Sequence, residues 1–175
     1  MRFCIFAATV LAVAPQALAK TCGTDAILDS LRKVSYDASQ MEPATEADND
    51  SIAKDTPVYK DYQVLLNHFE NDLQDCEVVV DSHEKQQAVC DEYKEFAVNQ
   101  KESVDVTLDD SFMKKNGDQP LAGEVHEYTT KFEKALTEYT ERIKKGVPDC
   151  ADQIDEAYGP VQEDMAAILA IYPAA

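Results

Sequence analysis

Apolar residues recur at steps of three and four along nearly the whole chain, the spacing that gathers them on one face of a helix. Five such segments are legible. The first runs from Thr24 to Met41, with Ile27, Leu28, Leu31, Val34, Ala38 and Met41 on its stripe and Thr24 or Asp25 as its cap. The second opens at Thr56-Pro57, a capping residue followed by proline at the first helical position. It carries Val58, Tyr62, Leu65, Phe69, Leu73, Cys76 and Val80 on one face. Asp81 and Glu84 stand at capping-box spacing and predict a break and a fresh helix. The third helix holds Val89, Tyr93, Phe96, Gln100 and Val104 and fades near Asp105. Val106 to Asp118 is ambiguous; Leu108, Phe112 and Met113 fit a helical extension ending at Asn116-Gly117. The fourth helix starts at Pro120 and carries Leu121, Val125, Tyr128, Phe132, Ala135, Tyr139 and Ile143. Lys144-Lys145-Gly146 ends it, with cations at the negative end of the helix dipole and a glycine stop. The fifth opens at Val147-Pro148 and carries Ala151, Ile154, Tyr158, Val161, Met165, Ile168 and Tyr172; Pro160 removes one backbone donor and predicts a kink after Gly159. No period-two alternation marks a strand.

The segment ahead of these helices reads as an address. Met1-Arg2 is a positive start, Phe3 to Ala14 an apolar run, and Ala17-Leu18-Ala19 a small-x-small cleavage site, so residues 1–19 form a signal peptide and residues 20–175 a single secreted helical domain. Cys4 leaves with the signal, and Cys22, Cys76, Cys90 and Cys150 enter an oxidising compartment, where an even count reads as two disulfides. A metal site is the weaker reading, because no C-x-x-C pair and no histidine at ligand spacing accompanies them. Glu42 to Asp55 is polar and holds Pro43 and the sequon Asn49-Asp50-Ser51, which predicts a long loop with a glycan on Asn49.

Five helices with short connections predict an all-α, up-and-down bundle. Alternating directions bring all four cysteines to one end. Cys76 and Cys90 then lie at similar height on either side of a turn near Ser82-His83, and Cys22 and Cys150 both lie at helix starts. That geometry favours Cys76–Cys90 and Cys22–Cys150 over the other two pairings.

Charge narrows the functional classes. The chain has 16 Lys+Arg against 34 Asp+Glu, a formal net charge of −18. Such a polyanion has no footprint for nucleic-acid phosphates and is repelled by anionic lipid head groups. No later stretch has the roughly 20 apolar residues of a membrane helix. Catalytic signatures are missing too: there is no nucleophile elbow, no glycine-rich phosphate loop and no two-histidine zinc motif. His68, His83 and His126 read as exposed helix surface, and neither Asp109-Asp110 nor Asp48 with Asp50 has the calcium-loop pattern. The expectation is a non-enzymatic protein with no cofactor.

Aromatic residues are the remaining signal. Tyr62, Phe69, Tyr93, Phe96, Tyr128, Phe132, Tyr139, Tyr158 and Tyr172 all fall at stripe positions. They read as a packed core with tyrosine hydroxyls turned outward at its rim, or as the lining of an apolar cavity between helices. A cavity would lie between the long second, fourth and fifth helices, at Leu65 and Phe69, Phe132 and Leu136, and Met165 and Ile168.

The C-terminal half carries a family likeness. Tyr128-Thr129-Thr130-Lys131-Phe132-Glu133-Lys134-Ala135-Leu136, the junction Lys145-Gly146-Val147-Pro148 and the ending Ile168-Leu169-Ala170-Ile171-Tyr172 together resemble the fungal hydrophobic surface-binding proteins, also described as cell-wall galactomannoproteins. The resemblance implies a secreted, non-enzymatic, all-α protein that adsorbs to apolar surfaces or holds fatty acids between its helices. Unlike that pattern, this chain has four cysteines after its signal and no Ser/Thr-rich tail. Two readings follow: a protein that binds a hydrophobic surface or lipid such as a fatty acid or sterol, or a secreted module that binds a host or cell-wall protein and has a filled core.

Overall fold

A computed structural model describes residues 20–41, 57–108 and 122–172 of the chain. Residues 1–19, read above as a signal peptide, the Asn49 sequon and residues 109–121 lie outside the described residues. The elements in order are β1 (Lys20–Cys22), α1 (Thr24–Ser39), α2 (Pro57–Asn71), β2 (Cys76–Val78), α3 (His83–Leu108), α4 (Ala122–Gly146), a 3-10 turn (Pro148–Cys150) and α5 (Ala151–Ile171).

The fold is the expected bundle of five helices. Side-chain contacts give their directions. His68 meets Asp37 and Ser30 meets Asp72, so α1 and α2 are antiparallel. Tyr62 meets Ser103 and Phe69 meets Phe96, so α3 reverses again. Tyr62 stacks near Tyr128 and Phe69 near Tyr139, which makes α4 parallel to α2. Thr137 meets Tyr158 and His126 meets the Tyr172 carbonyl, so α5 runs against α4. Around the bundle the packing order is α1, α2, α4, α5, α3, with α3 closing the ring against α1. Pro160 lacks a backbone donor, yet α5 is helical from end to end.

The largest departure from the sequence expectation is the end of α2. The apolar stripe predicts one helix through Cys76 to Val80, but the helix stops at Asn71. Leu73 takes φ of 60°, a left-handed conformation that disfavours any residue with a Cβ and ends the helical path. Its side chain is buried, so apolar packing offsets that backbone cost. The chain then forms β2, which lies parallel to β1 in the register Lys20↔Cys76, Thr21↔Glu77 and Cys22↔Val78. Both strands have three residues, too short for a period-two signature.

That local change corrects the disulfide pairing. All four cysteines do lie at one end of the bundle, but the bonds are Cys22–Cys76 and Cys90–Cys150. Cys76 is on a strand rather than on a helix facing Cys90. The β1–β2 register brings its Cα to 5.6 Å from that of Cys22. Cys90, two turns into α3, lies 6.4 Å from the Cα of Cys150 in the 3-10 turn. Gln86 ties the same end together: its Nε2 donates to the Val80 carbonyl and its Oε1 accepts from the Asp149 amide. Two helix starts also differ from expectation. Gly23, with no side-chain cap, precedes α1, and Ser82 rather than Asp81 caps α3 by accepting from the Lys85 amide at 3.3 Å. Gly146 ends α4 as expected, and its reason is proximity: a Cβ there would collide with the Val78 side chain.

These pairings set the first prediction. Peptide mapping of the oxidised protein without reduction should recover Cys22–Cys76 and Cys90–Cys150 peptides and no free thiol; a Cys76–Cys90 peptide would contradict the fold. Replacing Cys90 and Cys150 together by serine opens a 60-residue separation and should cost about 4 kcal/mol in chemical denaturation, on the chain-entropy account of disulfides.

Candidate functional site

The stripes of α2, α3 and α4 converge on a continuous aromatic cluster. Phe69 is 0% exposed and contacts the rings of Phe132, Tyr139 and Phe96 at centroid distances of 5.3, 5.4 and 6.3 Å. Phe132 carries the cluster on to Tyr62 at 4.9 Å, and Tyr62 to Tyr128 at 5.1 Å. Interplanar angles of 64–87° make the Tyr62–Tyr128, Tyr62–Phe132, Phe69–Phe132 and Phe69–Phe96 contacts edge-to-face, the geometry in which a ring's positive edge meets another's negative face.

The six residues expected to line a cavity divide into two groups. All six are buried. Phe132, Met165 and Ile168 meet Tyr62, Val104 and Tyr128 around a narrow cleft with about 10 Å³ of free space. That is room for about one water molecule. Leu65, Phe69 and Leu136 do not line the cleft; they are fully buried core. Among the described residues this cleft is therefore closed in this conformation, because interlocking rings occupy the space that an acyl chain would need.

The tyrosine hydroxyls do not point outward as the sequence suggested. Tyr62 donates to the Ser103 carbonyl at 3.1 Å, Tyr93 shares a hydrogen bond of 2.7 Å with Thr140, and Tyr158 one of 3.0 Å with Thr137. The two side-chain partners, buried Thr140 and half-buried Thr137, both lie on α4, whereas the partner on α3 is a backbone carbonyl that no residue type announces. Burial holds the Tyr93 and Tyr128 hydroxyls well above the ordinary tyrosine range and raises that of Tyr139 as well. It pushes Tyr158 and Tyr172 up to about 12. The hydroxyls of Tyr128 and Tyr172 have no hydrogen-bond partner among the described residues.

His68 also departs from expectation, since it is buried rather than on the surface. Its Nε2 lies 3.1 Å from Asp37 and its Nδ1 3.1 Å from Asp72. Asp72 in turn accepts from Ser30 at 3.1 Å, which leaves Tyr139 to donate to Ser30 at 2.7 Å. Arg142 donates to the Asp72 and Phe69 carbonyls and closes the end of α2. This polar strip joins α1, α2 and α4 beneath an open surface depression of about 330 Å³ over Asp29, Ser30, Lys33, Asn71 and Asp72. Serine, aspartate and histidine meet here in an order unsuited to nucleophilic catalysis. The carboxylate stands between Ser30 and His68, whereas a serine nucleophile needs the base beside it. His83 is exposed as expected, and His126 is half-buried with Nδ1 donating to the Tyr172 carbonyl at 2.6 Å. Among the described residues no group of His, Cys, Asp and Glu side chains is arranged to hold a metal ion, and no helix is long and apolar enough to cross a membrane. No protein-family model, no curated protein and no solved structure matches this chain.

Two predictions follow from the packing. Phe69→Ala should lower stability by about 3–5 kcal/mol in a denaturant titration, whereas Val98→Ala, at a side chain 57% exposed, should change it by less than about 0.5 kcal/mol. The second concerns pH. A hydroxyl whose folded pKa lies above its unfolded value stabilises the fold fully below the unfolded value, near 10, and loses that contribution as pH rises through the folded one. Stability should therefore fall between pH 10 and 12, with tyrosinate absorbance appearing together with loss of the helical circular dichroism signal. Tyrosinate formation for all residues at pH 10 with the fold intact would contradict this.

Proposed function

We propose that this chain is a secreted, non-enzymatic protein that binds hydrophobic surfaces or lipids and admits a single apolar chain through the cleft between α2, α3, α4 and α5. One observation carries the reading. The apolar walls of four helices converge at Tyr62, Val104, Tyr128, Phe132, Met165 and Ile168, with the adaptable side chain of Met165 among them. The cleft is closed, so admission requires the rings of α2 and α4 to part. The net charge of −18 keeps such a protein soluble while its apolar interior does the binding. The signal segment and two disulfides fit secretion. The resemblance of Tyr128 to Leu136 and of Lys145 to Pro148 to fungal hydrophobic surface-binding proteins supports the same reading, and includes cell-wall association.

The full burial of Leu65, Phe69 and Leu136 favours a second reading, a secreted protein-interaction module whose core is filled. Native mass spectrometry separates the two. Protein purified from its secreting host, or delipidated and re-exposed to C12–C18 amphiphiles, should carry one bound molecule per chain. A protein that stays empty and is not retained on hydrophobic beads belongs to the second reading.

A further inference from the structure

Gln100 is 0% exposed, and neither its amide nitrogen nor its amide oxygen has a hydrogen-bond partner among the described residues. A primary amide with both ends unpaired is costly in a core, since each polar group removed from water without a partner is penalised. Gln100 is also central. It stands on the stripe of α3 between Phe96 and Val104, and its neighbour Lys101 pairs with Asp164 of α5 at 3.0 Å. Tyr62 meets Ser103 on one side of it along α3, and Phe69 meets Phe96 on the other. These contacts set Gln100 at the height of Met165, and one turn from Val104, both of which line the cleft. The buried Tyr128 hydroxyl, also unpartnered, belongs to a third lining residue.

We propose that Gln100 is the polar anchor of an internal binding site whose ligand is a single-chain amphiphile with an uncharged hydroxyl head, such as a long-chain primary alcohol. This rests on the lipid-binding reading and deepens it. A hydroxyl both donates and accepts, so one head group can satisfy the amide oxygen and the amide nitrogen of Gln100 together. An ionised carboxylate cannot donate, and it would enter a protein that already carries −18. The slender closed cleft suits a single chain better than a fused-ring body. Gln100 does not itself line the cleft in its closed form. On parting of the helices the chain would run from Gln100, one turn along α3 from Val104, past Phe132, Met165 and Ile168, with the unpartnered Tyr128 hydroxyl as a second polar group in the cleft wall.

The test is a calorimetric titration of the full chain with 1-dodecanol, its methyl ether and dodecanoate. The ether has the same apolar body but lacks the donor. Wild type should bind dodecanol about tenfold more tightly than either comparison ligand, the discrimination typical of a buried polar group left unpaired. Gln100→Met keeps the length and removes the amide, so it should bind alcohol and ether equally. Its thermal midpoint without ligand should be no lower than that of wild type, because an unpaired group has been removed. Tyr128→Phe is a second variant, expected to keep the preference in weakened form. If wild type and Gln100→Met bind all three ligands alike, the anchor is wrong and the lipid-binding reading stands. If wild type binds none of them, the anchor and the internal lipid site both fail, and retention on hydrophobic beads alone decides the surface-binding reading. A Gln100→Met protein with a much lower thermal midpoint would show the amide already satisfied within the fold, which also overturns the proposal.

Discussion

The rest of the structure depends on burying one aromatic cluster inside a strongly acidic chain. Phe69 touches rings on α3 and α4, and Tyr139 passes the connection to α1 through Ser30. Four helices thus share one set of contacts. With a net charge of −18 spread over so small a body, mutual repulsion favours expansion. The apolar interior and two disulfides oppose it. Exposed pairs such as Lys85–Asp81 and Lys131–Glu127 add little each, since solvent screens them.

The two ends of the bundle are built differently. At one end the β1–β2 pair, the two disulfides and the Gln86 clasp fix the starts of α1, α3 and α5 covalently and by backbone hydrogen bonds. The opposite half has rings, the closed cleft and the unpaired groups of Gln100, Tyr128 and Tyr172. Covalent ties there are absent among the described residues. A bundle clamped at one end and held by side-chain packing at the other is suited to parting at the packed end, and the proposed ligand would enter there.

Much of this was legible in the residues themselves. The three-and-four spacing located five helices, and stripe positions such as Phe69, Phe96, Phe132 and Tyr139 are core. Periodicity could not find the end of α2, because Leu73, Cys76 and Val80 continue the helical spacing while the backbone turns at Leu73. The disulfide pairing failed for the same reason: it depends on three-residue strands that carry no pattern. His68 looked like surface because its partners, Asp37 and Asp72, become neighbours only when α1 and α2 pack. Gln100 was visible as a polar residue on an apolar stripe, but its lack of partners is a property of the assembled core.

Hydrogen–deuterium exchange with and without a saturating single-chain amphiphile tests the central claim most directly, namely that the aromatic half is the element that opens to bind. The account predicts slowed exchange of amides in Tyr128–Phe132 and Met165–Ile168 on binding, with His83–Cys90 and Cys150–Ile154 at the disulfide end unchanged. Binding that leaves Tyr128–Phe132 and Met165–Ile168 unaltered, or that protects the disulfide end instead, would contradict it.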